Sequence, residues 1–285
     1  MAEYKIFCNG TADIPEDKMK ELELTALHLT VNIGTEAYKQ MPIKEFYKKM
    51  RGGAMPTTSA VNVGESIEAF EPVLQAGQDV LALAFTSGLS VSYEAMDMAG
   101  KELREKYPER KIIVIDTLNA SAGEAIMIYE AAKMKSEGKS IEEVQAWVEA
   151  NKLKVTYWFS VDDLNHLKRG GRVSAAQAVM GSMLSVKPIL NVDAAGKLAK
   201  VDKIRGRAKS IQYLVDKLKE TIGDNSEDKV IYIPQVDCVE DGNALKAQIK
   251  KELNVKDVVV YPLGPVIAAH TGFGLIAVIY LGTGR

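Results

Sequence analysis

Short apolar runs alternate with stretches of helical periodicity along nearly the whole chain. Strand-like runs fall at 4–8, 27–33, 80–85 and 111–116, and helical patterns lie between them. Such alternation predicts a parallel sheet covered by helices. The run Lys111 to Thr117 is continuous and β-branched, the pattern of a strand buried on both faces. In the segment Ser90 to Tyr107, Met96, Ala99, Leu103 and Tyr107 recur at helical spacing. A further helix is expected from Ala120 to Glu137, ended by Gly138, and Ser140 with Glu143 has the spacing of a capping box for the next. That helix ends near Leu153, which sets a domain boundary there: 1–154 for an N-terminal α/β domain and 155–285 for a C-terminal one.

Beyond the boundary, strands are expected at 155–161, 187–192, 229–234, 258–262 and 275–281, with helices over 207–222 and 240–253. The segment Asp193 to Lys197 reads as a hairpin turn, so the second domain has some antiparallel pairing. The segment 175–190 sets Val179, Met180, Met183, Leu184 and Ile189 among Gly181, Ser182 and Ser185. Flexible methionines suit a wall that accommodates a long apolar ligand, and an ordinary core helix has the same periodicity. The pattern leaves both readings open.

Three segments carry candidate chemistry. Pro56-Thr57-Thr58-Ser59 and Thr86 to Ser92 are hydroxyl-dense and precede helical patterns, so each reads as a helix entrance, where free N–H groups and the positive dipole end attract anions. Four hydroxyls within Thr86 to Ser92 are more than one cap requires. The third is Gly264 to Gly274, which places His270 and Thr271 among small residues between two apolar runs. Glycine permits tight turns and close approach of a ligand to main chain, and imidazole and hydroxyl add donors and acceptors beside it. A loop whose histidine satisfies a core hydrogen bond fits the same pattern.

Size and composition narrow the class. The chain has 285 residues, 47% of them hydrophobic, enough for two domains of ordinary size. The formal charge of −2 gives no global field for nucleic acid, and the basic clusters at 168–172 and 203–209 are too short for a recognition surface. Two isolated cysteines and three scattered histidines carry no metal-ligand spacing. No apolar run approaches the ~20 residues of a membrane helix, and no apolar signal region is visible, so a cytoplasmic location is expected.

Taken together, Thr57-Thr58-Ser59, Ser87-Gly88-Leu89-Ser90, Leu167 to Ser174 (Leu-Lys-Arg-Gly-Gly-Arg-Val-Ser), Lys187-Pro188-Ile189-Leu190, the Arg205 region, and Gly264 to Ile267 followed by His270-Thr271-Gly272 resemble the DegV family of bacterial fatty-acid-binding proteins. The resemblance covers essentially the whole chain. It implies a two-domain α/β fold, an N-terminal parallel-sheet domain and a C-terminal mixed one, holding one long-chain fatty acid between them. It implies a carrier with no catalytic centre and no cofactor beyond its ligand. The carboxylate would be held by Thr58 or Ser59, by Ser87 or Ser90, and by His270 with Thr271. Met180, Met183, Leu184 and Ile189 would line an acyl tunnel. A separate ATP-dependent fatty acid kinase would phosphorylate the carboxylate for phospholipid synthesis, with Arg172 and Arg205 serving the kinase contact or the phosphate. The chain departs from the family pattern at Asn9-Gly10, where Asp-Ser is usual, and at Phe273, where proline is customary.

A hydrolase is the competing class. Gly88-Leu89-Ser90-Val91-Ser92 approaches a nucleophile elbow in a strand-to-helix context, with His270 far downstream. The final glycine of that pattern is missing, and no aspartate is signalled as the third member of a triad.

Overall fold

The computed structural model describes residues 3–178 and 185–285. The chain divides into two compact units, one of residues 1–30 and 58–152, the other of 31–57 and 153–285. A single cut after residue 154 therefore misassigns one segment: residues 31–57 group with the C-terminal residues. The reason lies in their partners. Helix Ile43–Arg51 buries Phe46, Tyr47 and Met50, the Tyr47 hydroxyl donates to the Leu263 carbonyl at 2.8 Å, and Arg51 pairs with Asp237. Phe273 takes part: its ring lies 6.2 Å from that of Tyr47 and 5.2 Å from the Arg51 guanidinium.

In the first unit four parallel strands stand in the order Thr25–Leu27, Tyr4–Asn9, Asp79–Ala84, Ile112–Asp116. Every residue of Asp79–Ala84 is buried: Val80 to Ala84 are apolar, and Asp79 at the strand's start accepts from the Lys111 amide at 3.0 Å. The run read as one strand over 27–33 is two. Thr25–Leu27 belongs to this sheet, and Thr30–Ile33 pairs antiparallel with Glu36–Tyr38 in the second unit. Three helices follow the expected pattern at Ser92–Lys106, Ala122–Ser136 and Ile141–Asn151, the last with the Ser140–Glu143 capping box in place. Helix Val63–Gln75 is capped by Asn62 and Glu65. Thr57–Ser59 is a strand, so the first hydroxyl tract is not a helix entrance. The capping-box spacing of Asn62 and Glu65 was the local signal for where that helix begins.

The second unit holds a six-stranded mixed sheet in the order Leu198–Arg205, Val186–Val192, Val155–Ser160, Ile276–Leu281, Val230–Gln235, Asp257–Pro262. Only the last pair is parallel; the others run antiparallel. Helices Arg207–Thr221 and Val239–Glu252 contribute Ile211, Leu214, Val215, Leu218, Leu245 and Ile249 to a core closed by Ile231, Ile233, Ile276 and Val278 from the strands. The segment 264–274 contains a short helix, Pro265–Thr271, with proline at its start and Gly272 in a positive-φ conformation at its end.

Candidate functional site

In the first unit the strand order reverses between Tyr4–Asn9 and Asp79–Ala84. The chain leaves the first toward Thr25–Leu27 on one side and leaves the second toward Ile112–Asp116 on the other. Ligands of open parallel sheets bind in the crevice that such a switch opens at the carboxyl ends of the strands. Asn9 stands at the carboxyl end of the first of these strands. Its side-chain oxygen accepts from the Phe85 amide at 2.9 Å and its side-chain nitrogen donates to the Leu27 carbonyl at 3.3 Å, which ties three strand ends together. Asparagine can both donate and accept here, which an ionised aspartate cannot.

Asn9 and the turn after it are held from below by Glu124, in the first turn of helix Ala122–Ser136. One carboxyl oxygen accepts from the Asn9 amide at 3.2 Å, and the other bonds the Thr11 hydroxyl at 2.8 Å. Glu124 is fully buried. Its desolvation, the largest cause, raises its pKa well above the usual carboxylate value, and the Asp13 charge adds to that. Beside it the Ser121 hydroxyl donates to the Asp13 carboxylate at 3.2 Å. Both residues have positive φ, 55° for Asp13 and 50° for Ser121, and so does Leu118 at 53°. Backbone strain of this kind is retained where surrounding structure enforces it, and functional sites are where it collects. Glu124 is missing from the sequence reading, although a lone carboxyl in the apolar run Ala122 to Ile128 was the signal for it.

The hydroxyl tract after Asp79–Ala84 resolves into structural and available groups. The Thr86 hydroxyl accepts from the Gly88 amide at 3.1 Å. Ser90 Oγ accepts from the Ser92 amide at 3.2 Å and bonds Ser92 Oγ at 2.9 Å, and Ser92 Oγ accepts from the Val61 amide at 3.3 Å. These three build the turn and the helix start. Ser87 differs. Its amide donates to the Asp116 carboxylate at 3.2 Å, but its half-buried hydroxyl has no hydrogen-bond partner among the described residues. Thr58 is half-buried and Ser59 exposed, both on the strand Thr57–Ser59. Ser90 Oγ is engaged by Ser92 rather than by a histidine, which removes the arrangement that a nucleophilic serine needs.

In the second unit His270 sits in the last turn of helix Pro265–Thr271. Burial, helped by the nearby charges of Arg172 and Arg169, pushes its pKa down from 6.5 to about 4, so the ring is neutral at physiological pH. A neutral imidazole carries one N–H donor and no permanent charge. The Thr271 hydroxyl is already engaged. The residue is buried, and its hydroxyl donates to the Ile267 carbonyl at 3.2 Å, so the proton a carboxylate would need is committed to its own helix.

Arg172 is half-buried and donates to the Gly170 carbonyl at 2.5 Å; Arg205 is exposed at the end of strand Leu198–Arg205. Of the acyl-wall residues, Met180, Met183 and Leu184 lie outside the described residues, and Ile189 is a fully buried member of the core under helix Arg207–Thr221. Among the described residues no cluster of three His, Cys, Asp or Glu is placed to hold a metal ion, and no helix is long and apolar enough to cross a membrane.

Comparison with known proteins defines the class. The model of the family described as "Uncharacterised protein, DegV family" matches residues 3–283, and the chain belongs to that family. A DegV domain-containing protein of Clostridium perfringens is 42% identical over 99% of this chain and 98% of its own length. The solved DegV family protein of Thermus thermophilus, described by its fatty acid binding, superposes with a TM-score of 0.88 at 28% identity, covering 99% of this chain and 100% of the other. DegV of Bacillus subtilis, described as a fatty acid binding protein, gives a TM-score of 0.85 at 26% identity over 99% of this chain and 100% of that one.

Proposed function

We propose that this protein binds one long-chain fatty acid non-covalently and acts as its carrier. The observation that carries the reading is the Ser87 hydroxyl, which has no hydrogen-bond partner among the described residues and stands at the topological switch in a tract whose other hydroxyls are all in use. The fatty acids of the solved relatives supply the ligand class. An acyl chain contributes ~0.8 kcal/mol per buried CH₂, and its charged end must be hydrogen-bonded on leaving water. Ser87 and His270 are the principal head-group donors in this reading, with Thr58 and Ser59 as further contributors; Ser90 and Thr271, from the same motifs, have structural bonds of their own. The apolar side chains of 175–190, Met180, Met183, Leu184 and Ile189 among them, are assigned to the acyl chain.

Protein purified from cells is expected to carry about one fatty acid, released on denaturation and identified by mass spectrometry. Ligand that binds only the folded state stabilises it by mass action, so delipidation lowers the unfolding midpoint and added fatty acid restores it. Ser87→Ala should weaken binding by roughly tenfold or more, the loss of a hydrogen bond to a charged group, whereas Ser90→Ala should chiefly loosen the helix start. Protein without lipid that responds to no chain length sinks the reading.

In the same reading the carrier presents its carboxylate to a separate ATP-dependent kinase, which forms an acyl phosphate for phospholipid synthesis. Phosphoryl transfer gathers negative charge that neutral hydroxyls cannot balance, and arginine binds phosphate oxygens or an acidic partner in two-pronged fashion. Arg172→Ala with Arg205→Ala should therefore keep most fatty-acid affinity while lowering acyl-phosphate formation. Full kinase turnover by the double variant would remove both arginines from the mechanism.

A further inference from the structure

Two short helices in the second unit hold each other by exchanging a histidine for a glycine. Helix Asn165–Arg169 begins beside His166 and ends on Gly170, and helix Pro265–Thr271 carries His270 near its end and closes on Gly272. The imidazole of His270 lies on Gly170: a Cβ there would fall inside van der Waals contact of Nδ1 and 3.0 Å from Cε1. The imidazole of His166 lies on Gly272, where a Cβ would be 2.5 Å from Cδ2 and 2.9 Å from Nε2. Each helix thus ends in the space that the ring of the other requires.

The two glycines are there for different reasons. Gly272 has φ +73°, which favours glycine on backbone grounds alone. Gly170 has φ −73° and ψ −7°, which any residue adopts, so the ring of His270 is what requires glycine at 170. His166 is also held on its other flank. Its Nδ1 lies 2.9 Å from the Arg169 guanidinium, and the ring is hydrogen-bonded to the backbone of Ala269, the residue before His270. Leu167 between them is buried, at 1% exposure, so the helix carrying His166 is anchored in the unit.

We propose that His166 and Gly170 are positioning residues for His270. His166 grips the backbone on both sides of it, at Ala269 and Gly272, and Gly170 sets the plane in which its ring lies. The proposal rests on the head-group role given to His270 above, and it makes no claim that His166 or Gly170 touches the ligand. Its physical content is that a hydrogen bond to a carboxylate depends on the direction of the N–H, and that direction is fixed by packing around the ring.

The test uses delipidated full-length protein and an 18-carbon monounsaturated fatty acid as probe. Gly170→Ala and His166→Ala should each lower affinity by roughly tenfold, the order of one misdirected hydrogen bond. In a His270→Ala background, neither change should lower affinity further, and the alanine at 170 should no longer cost stability because the ring it strikes is gone. The chain has three histidines, so the ring-proton NMR signal of His270 is assigned by its loss in His270→Ala, and it should move in both single variants. This second reading covers the case in which Gly170→Ala folds poorly. Wild-type affinity with an unmoved His270 signal in His166→Ala overturns the inference. If His270→Ala itself binds like wild type, the head-group reading falls instead, and the NMR signal alone then decides whether the clasp positions the ring.

Discussion

Glu124→Ala is expected to lower the free energy of unfolding by about 2–5 kcal/mol, because it leaves the Asn9 amide and the Thr11 hydroxyl buried without their partner. Glu124→Gln should behave in the opposite sense. Its carbonyl oxygen can accept from the Asn9 amide and its amide nitrogen can donate to Thr11, with no ionisation to suppress. The native carboxyl has a raised pKa, so above the ordinary value of 4.5 the unfolded chain releases a proton that the folded protein retains. Wild-type stability therefore declines as pH rises from 4.5 toward the folded-state value. The glutamine variant escapes that decline, and its advantage at neutral pH should vanish below pH 4.5. Denaturant titrations from pH 4 to 8 measure both. A glutamine variant that is less stable than wild type, by a margin that widens with pH, would show that Glu124 is ionised in the fold.

His270→Ala should reduce fatty-acid affinity by roughly ten- to a hundredfold, the range for a hydrogen bond to a charged group, while the fold survives. The same variant should also lose a pH effect. The His270 ring has a pKa of about 4 in the folded protein against 6.5 in the free side chain, so as pH falls the unfolded chain takes up the proton first. The stabilising contribution is complete above pH 6.5 and is lost between there and about 4, with about 2 kcal/mol gone by pH 5. Delipidated His270→Ala should be correspondingly less sensitive over that window. Some sensitivity remains from His166, whose pKa burial and Arg169 also lower. Wild-type affinity in His270→Ala would place the carboxylate elsewhere.

The regular elements were readable because local pattern and tertiary role coincide in them. The β-branched run Lys111 to Thr117 marks the strand Ile112–Asp116, but that strand stands at the edge of the first sheet and is only partly buried, so the expectation of burial on both faces does not hold. Ser140 and Glu143 cap a helix with no help from distant residues. Where partners lie far along the chain, pattern fell short. Nothing local in 31–57 announces that Tyr47 will bond Leu263 or that Arg51 will meet Asp237. Helix Pro265–Thr271 is too short to show an apolar period, and only Pro265 and Gly272 mark its ends. In the hydroxyl tract, residue types identified a group that handles anions or caps, but which hydroxyl remains available depends on Val61 and Asp116, from other elements. The adjacent pair Gly170-Gly171 is a local turn signal, while the reason for glycine at 170, an imidazole one hundred residues downstream, is not local.

The division of the chain also governs the order in which it can fold. Synthesis delivers residues 31–57 ahead of every residue of 153–285 with which they are grouped. Helix Ile43–Arg51 emerges with Phe46, Tyr47 and Met50 on a face whose polar tethers, Gln235, Asp237 and Leu263, are among the last parts made. The first unit can assemble its sheet once residue 116 is out, but it must do so around a loop that has not yet found its place. The nascent protein thus carries a helix with one unsheltered apolar face until translation is nearly complete, and no single peptide bond separates one unit whole from the other.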